Sequence, residues 1–163
     1  MSTGPTSGDE SPAIKAVEAT VFEHSFLAGL KPEHLRSLAD NALRIQYEPG
    51  DLIFREGEPA NRFYLIERGQ VSLESRRQDE PPVCIQIIGP GDVLGWSWLF
   101  PPYYWNFDAR AVGPTTALFF YGTRLREQCD LDADLGYELM KRMTATAIQR
   151  LQATRRQLLT LRK

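Results

Sequence analysis

The sequence predicts a chain that is mainly β with flanking helices: a small antiparallel β jelly roll followed by a long C-terminal α-helix. Three observations predict it. Between Ala42 and Tyr121 short apolar segments of strand length recur at regular spacing, with glycine and proline between them. Before them stand short helical patterns. After them comes a proline-free stretch of about 30 residues with apolar positions three and four apart. The length, 163 residues, suits one domain with one continuous core.

Residues 1–12, MSTGPTSGDESP, are small and polar with no hydrophobic signal core, and are expected to form a flexible lead-in. The domain proper is placed at 13–163. Its N-terminal helices occupy 13–41, the barrel 42–121 and the C-terminal helices 123–163. AIKAVEATVFEHSFLAGL reads as one short amphipathic helix ending near Gly29. In LKPEHLRSLAD a second begins, with Pro32 suited to the first turn, Glu33 to the positive helix end, and Leu35 and Leu38 to the apolar face. His24 and His34 are expected as ordinary surface or boundary residues.

ALRIQYEPGDLIFREGEPANRFYLIERGQVSLESR holds four strands, turned at Glu48–Asp51, Gly57–Pro59 and Arg68–Gly69. Phe63–Ile66 is a continuous apolar run, the pattern of a strand buried on both faces, whereas Val71 and Leu73 alternate. VCIQIIGPGDVLG adds two strands around Gly89–Gly91, and FDARAV with TTALFFY the last pair. Thr123 is expected to cap a short helix ending near Cys129, and DLDAD to cap the long one. On that helix Met140, Ala147, Leu151, Leu158 and Leu161 form a narrow coiled-coil-like stripe, with Thr144 and Thr154 on the same seam. A helix of roughly 45 Å outreaches a small barrel, so the stripe predicts a homodimer.

Several function classes are excluded. No run approaches the ~20 apolar residues of a membrane span, and a cytoplasmic protein is expected. Two cysteines and two histidines, in no ligand spacing, speak against zinc or iron–sulfur, so no metal is predicted. No Ser/His/Asp set, P-loop or HExxH marks an enzyme, and no catalytic residue is assigned. The net charge of −2 hides a basic end: from Lys141 onward there are seven Lys and Arg and no acid, read here as a solvated helix face.

The most unusual stretch is GDVLGWSWLFPPYYWNFDARAV, which contains all three tryptophans. Three roles compete for it: barrel core, altered ligand pocket, and partner surface. Leu94, Trp98 and Phe100 are candidates to turn inward. The division adopted puts a plug of Trp96, Trp98 and Phe107 inside, and a stiff, exposed partner loop of Pro101, Pro102, Tyr103, Tyr104 and Trp105 outside. In a pocket, Trp96 and Phe107 would stack on a planar ligand while Ser97, Asp108 and Arg110 orient it.

FLAGLKPEHLRSLA, YEPGDLIFREGEPANRFYLIERGQVSL and IIGPGDVLGWSWLF resemble the cyclic-nucleotide-binding domain of the Crp/Fnr regulator family over residues 20–160, with Gly50, Gly57 and Gly69 at that family's turns. The resemblance implies cAMP or cGMP as ligand and Gly95, Trp96, Ser97, Trp98, Phe107, Asp108, Ala109 and Arg110 as the phosphate-binding cassette. Two positions depart from it. Where the family carries a ribose-binding glutamate, this chain has Trp96. Where it carries arginine, then Ser or Thr, then alanine, this chain reads Phe107, Asp108, Ala109. Losing two charged hydrogen bonds of roughly 1.5–3 kcal/mol each predicts binding about 10²–10⁴-fold weaker. Arg110 could replace the lost cation only if the strand slipped register by an odd number. No bound cofactor is therefore predicted. The family's transcription factors continue into a helix-turn-helix; with the sequence ending at Lys163, sequence-specific DNA binding by this chain is not expected. The resemblance implies a regulatory sensor or adaptor signalling to an unidentified protein partner. The alternatives are a sensor that binds a nucleotide weakly or takes another planar ligand, and an accessory subunit of a redox enzyme complex.

Overall fold

The computed structural model describes residues 16–162. The lead-in expected at 1–12 lies outside the described residues. The elements run α1 (Val17–Glu23), a 3-10 turn (Ser25–Leu27), α2 (Pro32–Asn41), β1 (Leu43–Tyr47), β2 (Leu52–Phe54), β3 (Arg62–Arg68), β4 (Val71–Ser75), β5 (Val83–Ile88), β6 (Val93–Leu94), β7 (Asp108–Ala111), β8 (Thr115–Tyr121), α3 (Gly122–Leu131) and α4 (Ala133–Leu161).

Two four-stranded antiparallel sheets form the jelly roll, in the orders β1-β8-β3-β6 and β2-β7-β4-β5. The first sheet is covered on both faces. From β3, Phe63 and Leu65 face the helices while Tyr64 and Ile66 face the second sheet; Leu118/Phe120 and Ala117/Phe119 of β8 divide the same way. A strand with no solvated face has no reason to alternate, which explains the unbroken apolar run. The second sheet turns its apolar side chains to one face and polar ones to the other. Val71, Leu73, Ala109 and Ala111 point into the barrel, and Ser72, Glu74, Asp108 and Arg110 alternate onto the outer side. Gly69 makes the β3–β4 turn at φ +90°, where a Cβ would meet the Pro114 carbonyl oxygen at 2.4 Å, so only glycine fits.

Three local expectations need correction. The first helix is not continuous to Gly29. At His24 the backbone turns extended, because the ring caps the 3-10 turn by accepting from the Phe26 N–H (Nδ1, 3.2 Å). The same ring donates through Nε2 to the Ile66 carbonyl at 2.9 Å, so His24 is a buried tie between helix and sheet rather than a surface residue. His34 is buried as well, 3.0 Å from Asp132. Thr123 does not cap α3: the helix starts at Gly122 with Tyr121 as its uncapped N-cap, and the Thr123 hydroxyl accepts from Arg126 instead. Asp132 does cap α4, accepting from the Leu135 N–H at 3.2 Å.

Candidate functional site: the cassette and its contact with the long helix

The cassette runs from β6 through Gly95 into a loop that returns as β7. Gly95 has φ +84°, and a Cβ there would stand 2.2 Å from the Trp105 ring. Trp105 is 3% exposed and stacks on Phe54 at 3.8 Å between centroids, with 12° between planes. Its backbone is clamped on both sides, donating to the Glu58 carbonyl (3.0 Å) and accepting from the Gly57 N–H (2.8 Å). The residue expected on the exposed loop is thus part of the barrel filling.

Trp98, expected in the plug, leaves the barrel altogether. It is fully buried in the helix-side cluster, 5.1 Å from the Phe63 ring. Trp96 is half-buried and packs on that same cluster, Phe107 is half-buried against the barrel cluster, and Phe100 is 47% exposed rather than turned inward. Ser97 is buried, with its hydroxyl 3.5 Å from the Asn106 amide. In the loop, Pro101, Pro102 and Tyr104 are exposed, and Tyr103 lies under the Arg126 guanidinium at 4.2 Å. The physical reason for the exchange is parity and reach. An ordered turn at Trp96–Leu99 leaves Trp98 in the helix-side cluster, and of the three tryptophans Trp105, returning toward β7, is the one that stacks on Phe54.

At the positions where the resemblance implies phosphate binding, the charged side chains turn away from the barrel interior. Phe107 has the same parity as Ala109 and Ala111, and its ring lies 5.6 Å from Phe54. Asp108 is buried on the outer face, its carboxylate accepting from the Glu56 N–H at 2.8 Å. Arg110 shares that outer face. Its Nε donates to Glu74 at 3.3 Å and its Nη1 to the Gly50 carbonyl at 2.9 Å. Ala109 pairs with Leu73 and Arg110 with Ser72, so the strand has not slipped and the Arg110 guanidinium is turned away from the barrel interior. Among the described residues, no three His, Cys, Asp or Glu side chains gather as a metal site would require.

α4 docks by Leu135, Leu139 and Met143, which are buried, and by two arginines. Of the basic end expected to be a solvated face, Lys141, Arg155, Arg156 and Arg162 are exposed. Arg142 instead pairs with Glu138 at 2.6 Å and donates to the Ala28 carbonyl at 2.7 Å. Arg150 is 9% exposed; its Nη2 donates to the Val93 carbonyl of β6, and its guanidinium lies 5.2 Å from the centre of the Trp96 ring. Burial pushes its pKa down and Asp92 pushes it back, but an arginine this far above neutrality stays charged. The sequence held a signal for this: Arg150 follows Leu139 by eleven residues and Met143 by seven, on the buried side of the helix. The stripe residues Met140, Leu151, Leu158 and Leu161 are exposed, at 38–81%, and Ala147 is half-buried.

Between α4 and the barrel mouth lies an open cleft of about 320 Å³, walled by Leu73, Ile85, Trp96, Phe107, Arg150 and Leu151 among others. It brings together Trp96 and Phe107, as expected of a pocket, but neither Asp108 nor Arg110, which line a separate surface with Arg55, Arg76 and Arg77.

Residues 44–132 match the family model of the cyclic nucleotide-binding domain. The Acetyltransferase Pat of Mycolicibacterium smegmatis is 34% identical over 82 residues, 50% of this chain and 24% of that protein. The CRP-like cAMP-activated global transcriptional regulator of Mycobacterium tuberculosis is 31% identical over 74 residues, 45% of this chain and 33% of that one. The chain thus spans 24–33% of the length of these two relatives. Among solved structures, a Geobacter metallireducens protein named for cyclic-nucleotide binding has a TM-score of 0.71 at 30% identity, covering 85% of this chain and 98% of its own. The Trypanosoma brucei regulatory subunit of a cAMP-independent protein kinase A, as a mutant bound to cAMP, has a TM-score of 0.71 at 25% identity, covering 88% of this chain and 52% of its own. With the jelly roll, its glycine turns and these likenesses together, the chain belongs to the cyclic nucleotide-binding domain family.

Proposed function

We propose that this domain is a non-enzymatic, cytoplasmic sensor or adaptor whose cassette no longer takes a cyclic nucleotide and which passes its state through α4 to a protein partner. The observation that carries the reading is the inversion at β7: Phe107 occupies the inward position, while Arg110 is spent on Glu74 and the Gly50 carbonyl on the opposite face. A phosphate monoanion at the start of β7 would meet the Phe107 ring instead of a guanidinium fork. Trp105 adds to this by filling the space beside Gly95. The kinase regulatory subunit that this fold resembles comes from a protein kinase A described as cAMP-independent, which supports a member of this family working without the nucleotide.

The exposed stripe on α4 supports a homodimer, since a row of leucines 55–81% exposed is costly to leave in water. Pro101, Pro102 and Tyr104 supply an exposed, aromatic patch for the protein partner. The test is a titration with cAMP and cGMP, followed by tryptophan emission and by calorimetry. All three tryptophans lie in the cassette region, so occupancy would register in the emission. Absence of saturable heat or spectral change up to millimolar nucleotide is expected; saturable micromolar binding of either nucleotide would overturn the reading.

A further inference from the structure

Among the described residues, Arg150 is a buried cation with no ion-pair partner. Arg142, two helical turns earlier on α4, is matched by Glu138. Among the described residues, Arg150 has only the Val93 carbonyl as a side-chain hydrogen-bond partner, on Nη2, and its Nη1 is buried with no partner. Asp92 acts on it through space but makes no ion pair with it. A guanidinium carries five N–H donors and cannot shed its charge. Holding one out of water with a donor unmade is unfavourable, and an anion that reached it would relieve both deficits.

Arg150 lines two clefts, and their walls distinguish them. One, of about 390 Å³, is polar and includes Asp92, whose carboxylate repels anions. The other is the 320 Å³ cleft between α4 and the barrel mouth. Among the described residues, none that lines it is acidic, and its walls include Trp96, Phe107, Leu73, Ile85 and Leu151. The Trp96 ring lies on the guanidinium and also forms part of this wall, which puts the charge at the edge of the cleft. A volume near the lower end of small-molecule sites, roughly 300–1,000 Å³, fits a ligand of one or two rings.

We propose that this cleft binds a small, planar, apolar carboxylate, its carboxyl on Arg150 and its ring against Trp96 and Phe107. The site names a ligand class for the sensor and rests on the reading that the cassette itself is closed to cyclic nucleotides. Ala147 and Leu151 belong both to the cleft and to the exposed stripe of α4. A ligand here therefore touches the helix surface through which the domain is proposed to signal, and coupling between the two follows from a shared contact.

The experiment is calorimetry on the full chain with 1-naphthoate, with uncharged 1-naphthalenemethanol as the matched control, and with cAMP in a separate arm. Wild type is expected to bind naphthoate saturably and the alcohol at least tenfold more weakly. Arg150→Gln should weaken naphthoate roughly 10- to 100-fold, the loss of a charged hydrogen bond. Ala147→Phe should block the cleft with Arg150 intact, which decides the matter if the Arg150 variant fails to fold. Arg55→Gln, an exposed arginine elsewhere, should bind like wild type. No binding of naphthoate by wild type, equal binding of acid and alcohol, or unchanged affinity in a folded Arg150→Gln would each overturn the site. Binding of cAMP would instead sink the closed-cassette reading, leaving the Arg150→Gln comparison to judge the carboxylate site by itself.

Discussion

Two neighbouring aromatic residues, Trp105 and Tyr104, offer a sharp test of the barrel interior. Trp105 is 3% exposed and stacked on Phe54, while Tyr104 is 50% exposed. Truncating a buried tryptophan to alanine removes its transfer free energy and leaves a cavity, together roughly 3–5 kcal/mol. For a domain of this size each kcal/mol moves Tm by about 2–4 °C, so Trp105→Ala is expected to lower Tm by roughly 6–20 °C. Tyr104→Ala should stay within about 0.5 kcal/mol of wild type. Urea unfolding followed by circular dichroism measures both, free of the change in tryptophan content. The close approach of Gly95 adds a second reading. Gly95→Ala forces a methyl group against the Trp105 ring, so its cost should fall when Trp105 is already alanine, with a coupling on the order of 0.5–3 kcal/mol. Part of the cost will persist in the double variant, because the backbone at φ +84° remains strained for alanine. A loss below about 1 kcal/mol for Trp105→Ala, equal to that for Tyr104→Ala, would refute the argument and return Trp105 to the exposed loop.

Two further outcomes are expected. His24 accepts from the Phe26 N–H and donates to the Ile66 carbonyl, a geometry that only the neutral ring satisfies, and burial holds its pKa below the usual 6.5. The unfolded chain therefore takes up the proton first, so this contribution is complete above about pH 6.5 and is lost as pH falls below it, by at most about 1.4 kcal/mol per unit. Urea unfolding at pH 7.5 and 5.5 should show a smaller loss in His24→Asn than in wild type; equal losses would dismiss His24 as the source. For the helix stripe, Leu158→Glu with Leu161→Glu should convert a wild-type dimer to monomer in sedimentation equilibrium. A wild-type monomer at micromolar concentration, or a dimer indifferent to both charges, would refute the proposed pairing.

How far the sequence could be read depended on whether a feature was local. The His24 break illustrates the limit. Nothing in AIKAVEATVFEHSFLAGL marks position 24 as a helix end, since the acceptor that draws the ring inward, the Ile66 carbonyl, is 42 residues away. Arg150 was legible in principle, because its spacing from Leu139 and Met143 put it on the buried side, but a cation there reads by composition as solvated.

The sequence by itself determined the eight strands and their turns, since glycine at positive φ and the apolar run of β3 act within a few residues. It also determined that position 107 is Phe, where the resemblance implies an arginine. Only the tertiary structure decided which aromatics fill the barrel. Trp96, Trp98 and Trp105 are chemically alike, and their fates differ by the wall each meets: Arg150 for Trp96, Phe63 for Trp98, Phe54 for Trp105. Likewise only the folded register could show Arg110 turned outward, because the face a strand residue takes is fixed by its partner strand and the core behind it.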